Sequence, residues 1–187
     1  MPRYVAFLRA INVGGRTVKM DRLQRLFEKQ RFEGVETFIA SGNVIFDCKS
    51  TDRSVLTTQI EAGLHVALGY EVATFIRTDI EVAAIARHKP FRDSDIEGAA
   101  ACVVGFVAEP LRSRAISALM SLSTDIDQFS VCGREIYWLC RRKQSGSTFS
   151  NAVFEKTLGL KATFRGMNTI ARLAMRYSPH VNRRGPP

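Results

Sequence analysis

The chain has 187 residues, 45% of them hydrophobic and 24% charged, with a formal net charge of +9. That length supports one good core or two small ones, and the charge favours anionic partners such as nucleic acid, nucleotides or phosphorylated metabolites. No apolar run approaches the roughly 20 residues of a membrane span, the N-terminus has no small-residue cleavage site, and the cysteines read as reduced thiols, so the sequence reads as cytoplasmic with no membrane partner.

"YVAFL", residues 4–8, reads as a first strand. It runs into "RAINVGG", residues 9–15, a turn rich in glycine. Met20, Leu23, Leu26 and Phe27 recur at helical spacing and give a helix over about residues 20–30. "VETFIA" (35–40) and "NVIFD" (43–47) make a hairpin about Ser41 and Gly42. Leu56, Ile60, Leu64 and Leu68 mark a second helix, stopped by Gly69, and "EVATFIR" (71–77) is a fourth strand. The order β-α-β-β-α-β is the ferredoxin-like arrangement.

A linking helix near residues 79–87 and a polar loop, "KPFRDSDIEGA", lead into a second round. "ACVVGFV" (101–107) is a strand and residues 111–122 a helix with Ala115, Leu119 and Leu122 inward. "DQFSVC" and "EIYWLC" pair about Gly133 and Arg134, and helices over 151–158 and 168–177 follow. This half lacks a clear last strand. The expected fold is α+β, with two ferredoxin-like halves, antiparallel sheets and helices packed on one face. The expected division is a first half over 1–79, a linker over 80–100, a second half over 101–177, and a disordered Pro/Gly tail over 178–187.

In this topology the first two strands run one way and the third and fourth run back. The end of the first strand and the tip of the first hairpin then share one sheet edge, so residues 9–15 and Ser41-Gly42-Asn43 become neighbours. Arg9 supplies charge, and Asn12, Gly14 and Gly15 can present backbone N–H groups to an anion. The same glycines also suit an ordinary positive-φ turn, and Ser41-Gly42-Asn43 an ordinary hairpin turn. A third segment, "TFRGMNT", sets Arg165 before a helix that starts at Asn168 or Thr169, both good N-caps. "RRKQSGSTFSN", residues 141–151, could order itself over a phosphate or remain a solvated loop.

Other chemistry finds less support. No G-x-x-x-x-G-K-[ST], G-x-G-x-x-G, G-x-S-x-G or H-E-x-x-H motif occurs. Cys48, Cys102, Cys132 and Cys140 form no C-x-x-C pair and read as buried reduced thiols, and His65, His88 and His180 lack partners at ligand spacing. No metal or cofactor is expected. Glu36, Asp47 and Glu135 are strand carboxylates among which the sequence does not choose a general base. An RRM-type RNA platform would need aromatics on the open sheet face, and the third strand lacks that motif.

At "YVAFLRAINVGG", "KMDRL", "TFIASGNVIF" and "TFRGMNTIARL" the sequence resembles the bacterial domain-of-unknown-function 1697 family, over roughly residues 2–176. The resemblance implies two ferredoxin-like halves and no particular activity, substrate or cofactor. It places family signatures at Arg9, Ile11, Asn12, Val13, Gly14 and Gly15, and at Ser41, Gly42, Asn43 and Val44. In the third signature, usually Thr-x-Arg-Asn-Trp-Asn-Thr, Gly166 and Met167 replace the asparagine and tryptophan, while Thr163, Arg165, Asn168 and Thr169 match.

The leading expectation is a protein binding a small anion or nucleotide phosphate through Arg9, Asn12, Gly14, Gly15, Ser41, Asn43, Arg165, Asn168 and Thr169. Whether it is an enzyme the sequence leaves open. The alternatives are a nucleic-acid module using Arg141, Arg142 and Lys143, and a protein-interaction module.

Overall fold

The apolar runs of the sequence become the central strands of two separate sheets. The computed structural model describes residues 1–12, 15 and 17–177. Gly14, one of the expected site residues, and the expected disordered tail over 178–187 lie outside the described residues. The chain divides into two compact units, one of Met1–Ala83 with the residues from Leu173 on, the other of Ala84–Arg172.

The first unit contains β1 (Arg3–Leu8), α1 (Met20–Glu28), β2 (Glu33–Phe38), β3 (Asn43–Asp47), α2 (Arg53–Leu68) and β4 (Thr74–Thr78). Helix α3 (Asp79–Arg87) follows directly. The sheet order is β2-β3-β1-β4, with β1 antiparallel to both neighbours, which is the ferredoxin-like arrangement. β1 and β3 are buried on both faces, as near-continuous apolar runs require. Tyr4, Ala6, Leu8, Val44, Phe46 and Ile76 face Leu23 and Phe27 of α1 and Leu56, Ile60 and Leu64 of α2. On the opposite face Val5, Phe7, Ile45 and Phe75 are each 4% exposed or less.

Edge strand β2 carries a bulge between Glu33 and Glu36, where Gly34 takes φ +55° against Asp47. Bulges and charged side chains keep such an edge from pairing with another chain. Arg3 grips Asp47 with two bonds of 2.8 Å across β1 and β3.

The second unit contains α4 (Asp93–Glu97), β5 (Ala101–Phe106), α5 (Ser113–Met120), β6 (Asp127–Cys132) and β7 (Glu135–Cys140). A 3-10 turn at Gln144–Gly146, α6 (Asn151–Leu158) and β8 (Thr163–Gly166) come next, and α7 (Met167–Tyr177) begins there. The sheet order β6-β7-β5-β8 repeats that of the first unit. Its core joins Val103, Ile136, Trp138 and Phe129 to Leu119 of α5 and Phe154 of α6.

Three details differ from the sequence reading. The missing last strand of the second half is β8, four residues paired to β5. The polar loop at 89–99 contains a short helix, α4. The last helix starts at Met167, so Asn168 and Thr169 lie in its first turn and are not its caps.

Local chemistry explains several other ends. Asp52 accepts from the N–H groups of Ser54 and Val55 at the start of α2, and Ser150 from Val153 at the start of α6. Gly69 and Gly159 close α2 and α6 in the left-handed conformation. At α3, Thr78 Oγ1 accepts from Glu81 N at 3.1 Å, and Thr78 N donates to Glu81 Oε2 at 2.8 Å. This reciprocal pair is a capping box. Among the described residues no helix is long and apolar enough to cross a membrane, and no group of three His, Cys, Asp or Glu could hold a metal.

Candidate functional site

The end of β1 and the tip of the β2–β3 hairpin meet, as the topology requires. Leu8 N donates to Gly42 O at 2.8 Å, and Arg9 N to Ala73 O at 2.9 Å. Asn12 ties the loop to the hairpin: Nδ2 donates to Ala40 O at 3.0 Å while Oδ1 accepts from Val18 N at 2.6 Å. Asn43, fully buried, closes the turn from inside, donating to Phe38 O at 3.0 Å and Ser41 Oγ at 2.8 Å. Gly42 has φ +75°, and a Cβ there would stand 2.5 Å from Ile11 Cγ2. Only glycine permits both that backbone conformation and so close an approach.

The clasp strains the chain. Among the described residues the non-glycine positions with positive φ are Ala10 (+55°), Arg31 (+66°) and Ile39 (+51°), so two of the three belong to this loop pair. Ile39 is β-branched and 40% exposed, an adverse choice for a left-handed turn. The sequence reading carries β2 through Ala40. In the structure β2 stops at Phe38, because the buried Asn43 amide captures the Phe38 carbonyl and turns the chain.

The expected site residues therefore take distinct roles. Arg9 is half-buried, while Gly15 (φ +80°) and Ser41 are exposed. The Asn12 and Asn43 amides are engaged with backbone and hold the loops together.

Arg165, Asn168 and Thr169 belong to the second unit. Arg165 stands two residues ahead of α7 but is not at the surface. It lies on β8, 8% exposed, with Nη1 donating to Thr163 Oγ1 at 2.7 Å and Phe164 O at 2.9 Å. Burial pushes its guanidinium down to about 10. Asn168 is exposed and Thr169 half-buried.

A counterpart that the sequence reading missed stands in the first unit. Arg77 on β4 is 1% exposed and donates through Nη1 to Ile76 O at 2.9 Å, each arginine thus bonding the carbonyl of the residue before it. Arg77 pairs with Val5 of β1, and Arg165 with Val104 of β5. The signal was the recurrence of "TFIR" at 74–77 as "TFR" at 163–165.

The loop at 141–151 is fastened from below. Asp127, 1% exposed, accepts from Trp138 Nε1 at 2.7 Å, from Ser147 Oγ at 2.8 Å and from Thr124 Oγ1 at 3.1 Å. Arg141 pairs with Asp95 at 3.1 Å, leaving Arg142 and Lys143 as exposed cations. Two of the strand carboxylates are taken up by partners: Asp47 by Arg3, and Glu36 by Arg176 Nη2 at 2.9 Å and Tyr177 OH at 2.8 Å. Glu135 is half-buried in the β6–β7 hairpin. No disulfide links the cysteines. Cys140 is buried and Cys48 and Cys102 half-buried, but Cys132, expected inside, is exposed at the end of β6.

The RRM-type reading fails on burial, since the face that would stack bases holds Val5, Phe7, Ile45 and Phe75, all out of solvent.

Comparison with known proteins bears on fold and family. No curated protein matches the chain. A conserved bacterial protein, SP0830 from Streptococcus pneumoniae, is similar in structure with a TM-score of 0.70 and 22% identity, over 94% of this chain and 97% of that one. At that identity the likeness speaks for the fold. The model of a family described as "Protein of unknown function (DUF1697)" matches residues 1–137, which include β1, its following loop and the β2–β3 hairpin. By that match the chain belongs to the DUF1697 family.

Proposed function

We propose that the first unit binds a small anionic ligand, of the phosphate-ester kind, on the paired loops after β1 and between β2 and β3. Arg9 supplies the positive charge. Gly15 and Ser41 offer exposed backbone and hydroxyl groups, while Asn12 and Asn43 position the loops that carry them. One observation carries this reading: two loops some thirty residues apart are clasped by the Asn12–Ala40 bond and hold Ala10 and Ile39 in left-handed conformations. Strain of this sort, of order 1–3 kcal/mol per residue, persists where the surroundings over-determine it and clusters at ligand clamps. A net charge of +9 favours the approach of anions. No catalytic group is assigned.

The test is a thermal-shift screen against inorganic phosphate, sugar phosphates and nucleoside monophosphates. A ligand at a hundred times its dissociation constant adds about 2.7 kcal/mol of stability. Arg9→Gln should abolish the shift while leaving the unliganded melting temperature within a few degrees. A screen without hits, or hits indifferent to Arg9→Gln, would overturn the reading.

A further inference from the structure

The side chain that protrudes from the clasped turn is apolar. Ile39 sits at the first position of the turn running to Gly42, has φ +51° and is 40% exposed. Neither fact helps the fold. A β-branched residue resists the left-handed region, where glycine, asparagine or aspartate fits with less strain. An isoleucine left 40% exposed also forgoes part of the gain from burial that would offset such strain. Nor can the turn relax to relieve it. Asn43 bonds the Phe38 carbonyl on one side of Ile39, Asn12 bonds the Ala40 carbonyl on the other, and Gly42 is wedged on Ile11. The side chain is thus presented, rigidly, on the same loop pair that carries Arg9 and Ser41.

We infer that Ile39 is a specificity-determining contact, and that the anion taken by this site carries a flat apolar group, as an aryl or nucleoside phosphate does. The inference rests on the anion reading of the loop pair and adds the second half of the ligand. Arg9 and the backbone at Gly15 and Ser41 meet the charged end; Ile39 covers a face of the ring. Covering the exposed part of Ile39, together with the ring face laid on it, separates such a ligand from bare phosphate by about tenfold in affinity.

Titration calorimetry with phenyl phosphate and inorganic phosphate tests it on the full chain, comparing the natural protein with Ile39→Asn. Asparagine tolerates the left-handed conformation, so this variant should melt at or above the natural temperature, which separates lost contact from lost fold. The expected result is phenyl phosphate binding about tenfold tighter than phosphate, a margin that Ile39→Asn removes while phosphate affinity stays the same. Equal affinities in the natural protein would overturn the role of Ile39 and leave the anion site standing, as would a margin that survives in the variant. Binding of neither probe would overturn the anion site and this inference with it.

Discussion

Gly42 and Gly15 look alike in the sequence and differ in what surrounds them. Both take positive φ, but a Cβ at Gly42 meets Ile11 and Leu8, whereas one at Gly15 meets nothing within 4 Å among the described residues. Gly15→Ala should therefore lose only the backbone preference, about 1 kcal/mol. Gly42→Ala adds overpacking against a buried side chain and should lose about 3 kcal/mol. Urea denaturation of the two variants checks the difference, and equal losses would mean that Ile11 gives way freely. The neighbouring residues show what a sequence conveys at this scale. Gly42 and Asn43 are legible as a turn because turns need those residue types. Ile39 is not legible, since a β-branched residue argues for strand and only the Asn43–Phe38 bond ends β2 one residue before it. Asn12 reads equally as a ligand group or a loop brace, and the sequence holds no information on which backbone atoms its amide will find.

Helix starts show how far local chemistry decides an element. The span expected for α3, residues 79–87, matches the structure because Thr78 and Glu81 form a capping box that fixes its first turn. Thr78→Ala removes the acceptor for Glu81 N and should lower stability by about 1 kcal/mol, with Thr78→Ser restoring most of it. Thermal unfolding of the pair distinguishes the cap from mere loss of a methyl group, which serine also lacks. If serine restores nothing, the cap is not what holds this end. Elements without such markers are the ones the sequence hides. β8 has four residues, ends in glycine and runs straight into α7, so neither alternation nor a turn signal sets it apart. It exists because β5 offers it a ladder, from Val103 paired with Gly166 to Phe106 paired with Thr163. Gly105 makes room there, since a Cβ at that position would strike the Phe164 ring. α4, of five residues, is stopped at Gly98 in the same unobtrusive way.

Across the whole molecule the two units repeat one plan: the same sheet order, a buried arginine on the fourth strand, and a helix directly after it. The plan is legible in the order of apolar runs. The arginines recur visibly in "TFIR" and "TFR", but their burial is not legible, because a buried guanidinium contradicts the usual expectation for that residue. Two buried groups give the stability of the protein opposite slopes in alkali. Tyr177 is held protonated up to about 12, chiefly because burial disfavours the phenolate and further because its hydroxyl donates to Glu36. A raised acid in the fold contributes stability that is whole below its ordinary value near 10 and is lost as pH climbs to about 12. Arg165 runs the other way. Its folded value of about 10 lies below the ordinary 12.5, so burying its charge opposes folding up to about pH 10 and is relieved above it. The total profile between pH 10 and 12 mixes the two. Tyr177→Phe separates them, since it deletes one titration and keeps the ring that meets Phe38 edge-on at 6.2 Å. The variant should be less stable than the natural protein at pH 8, where it lacks the bond to Glu36, and should recover relative to it as pH rises from 10 to 12. Urea midpoints measured for both proteins across that range test the sign. A stability difference that stays constant with pH would show that Tyr177 titrates near its ordinary value, and that Arg176 alone fastens Glu36 to the end of α7.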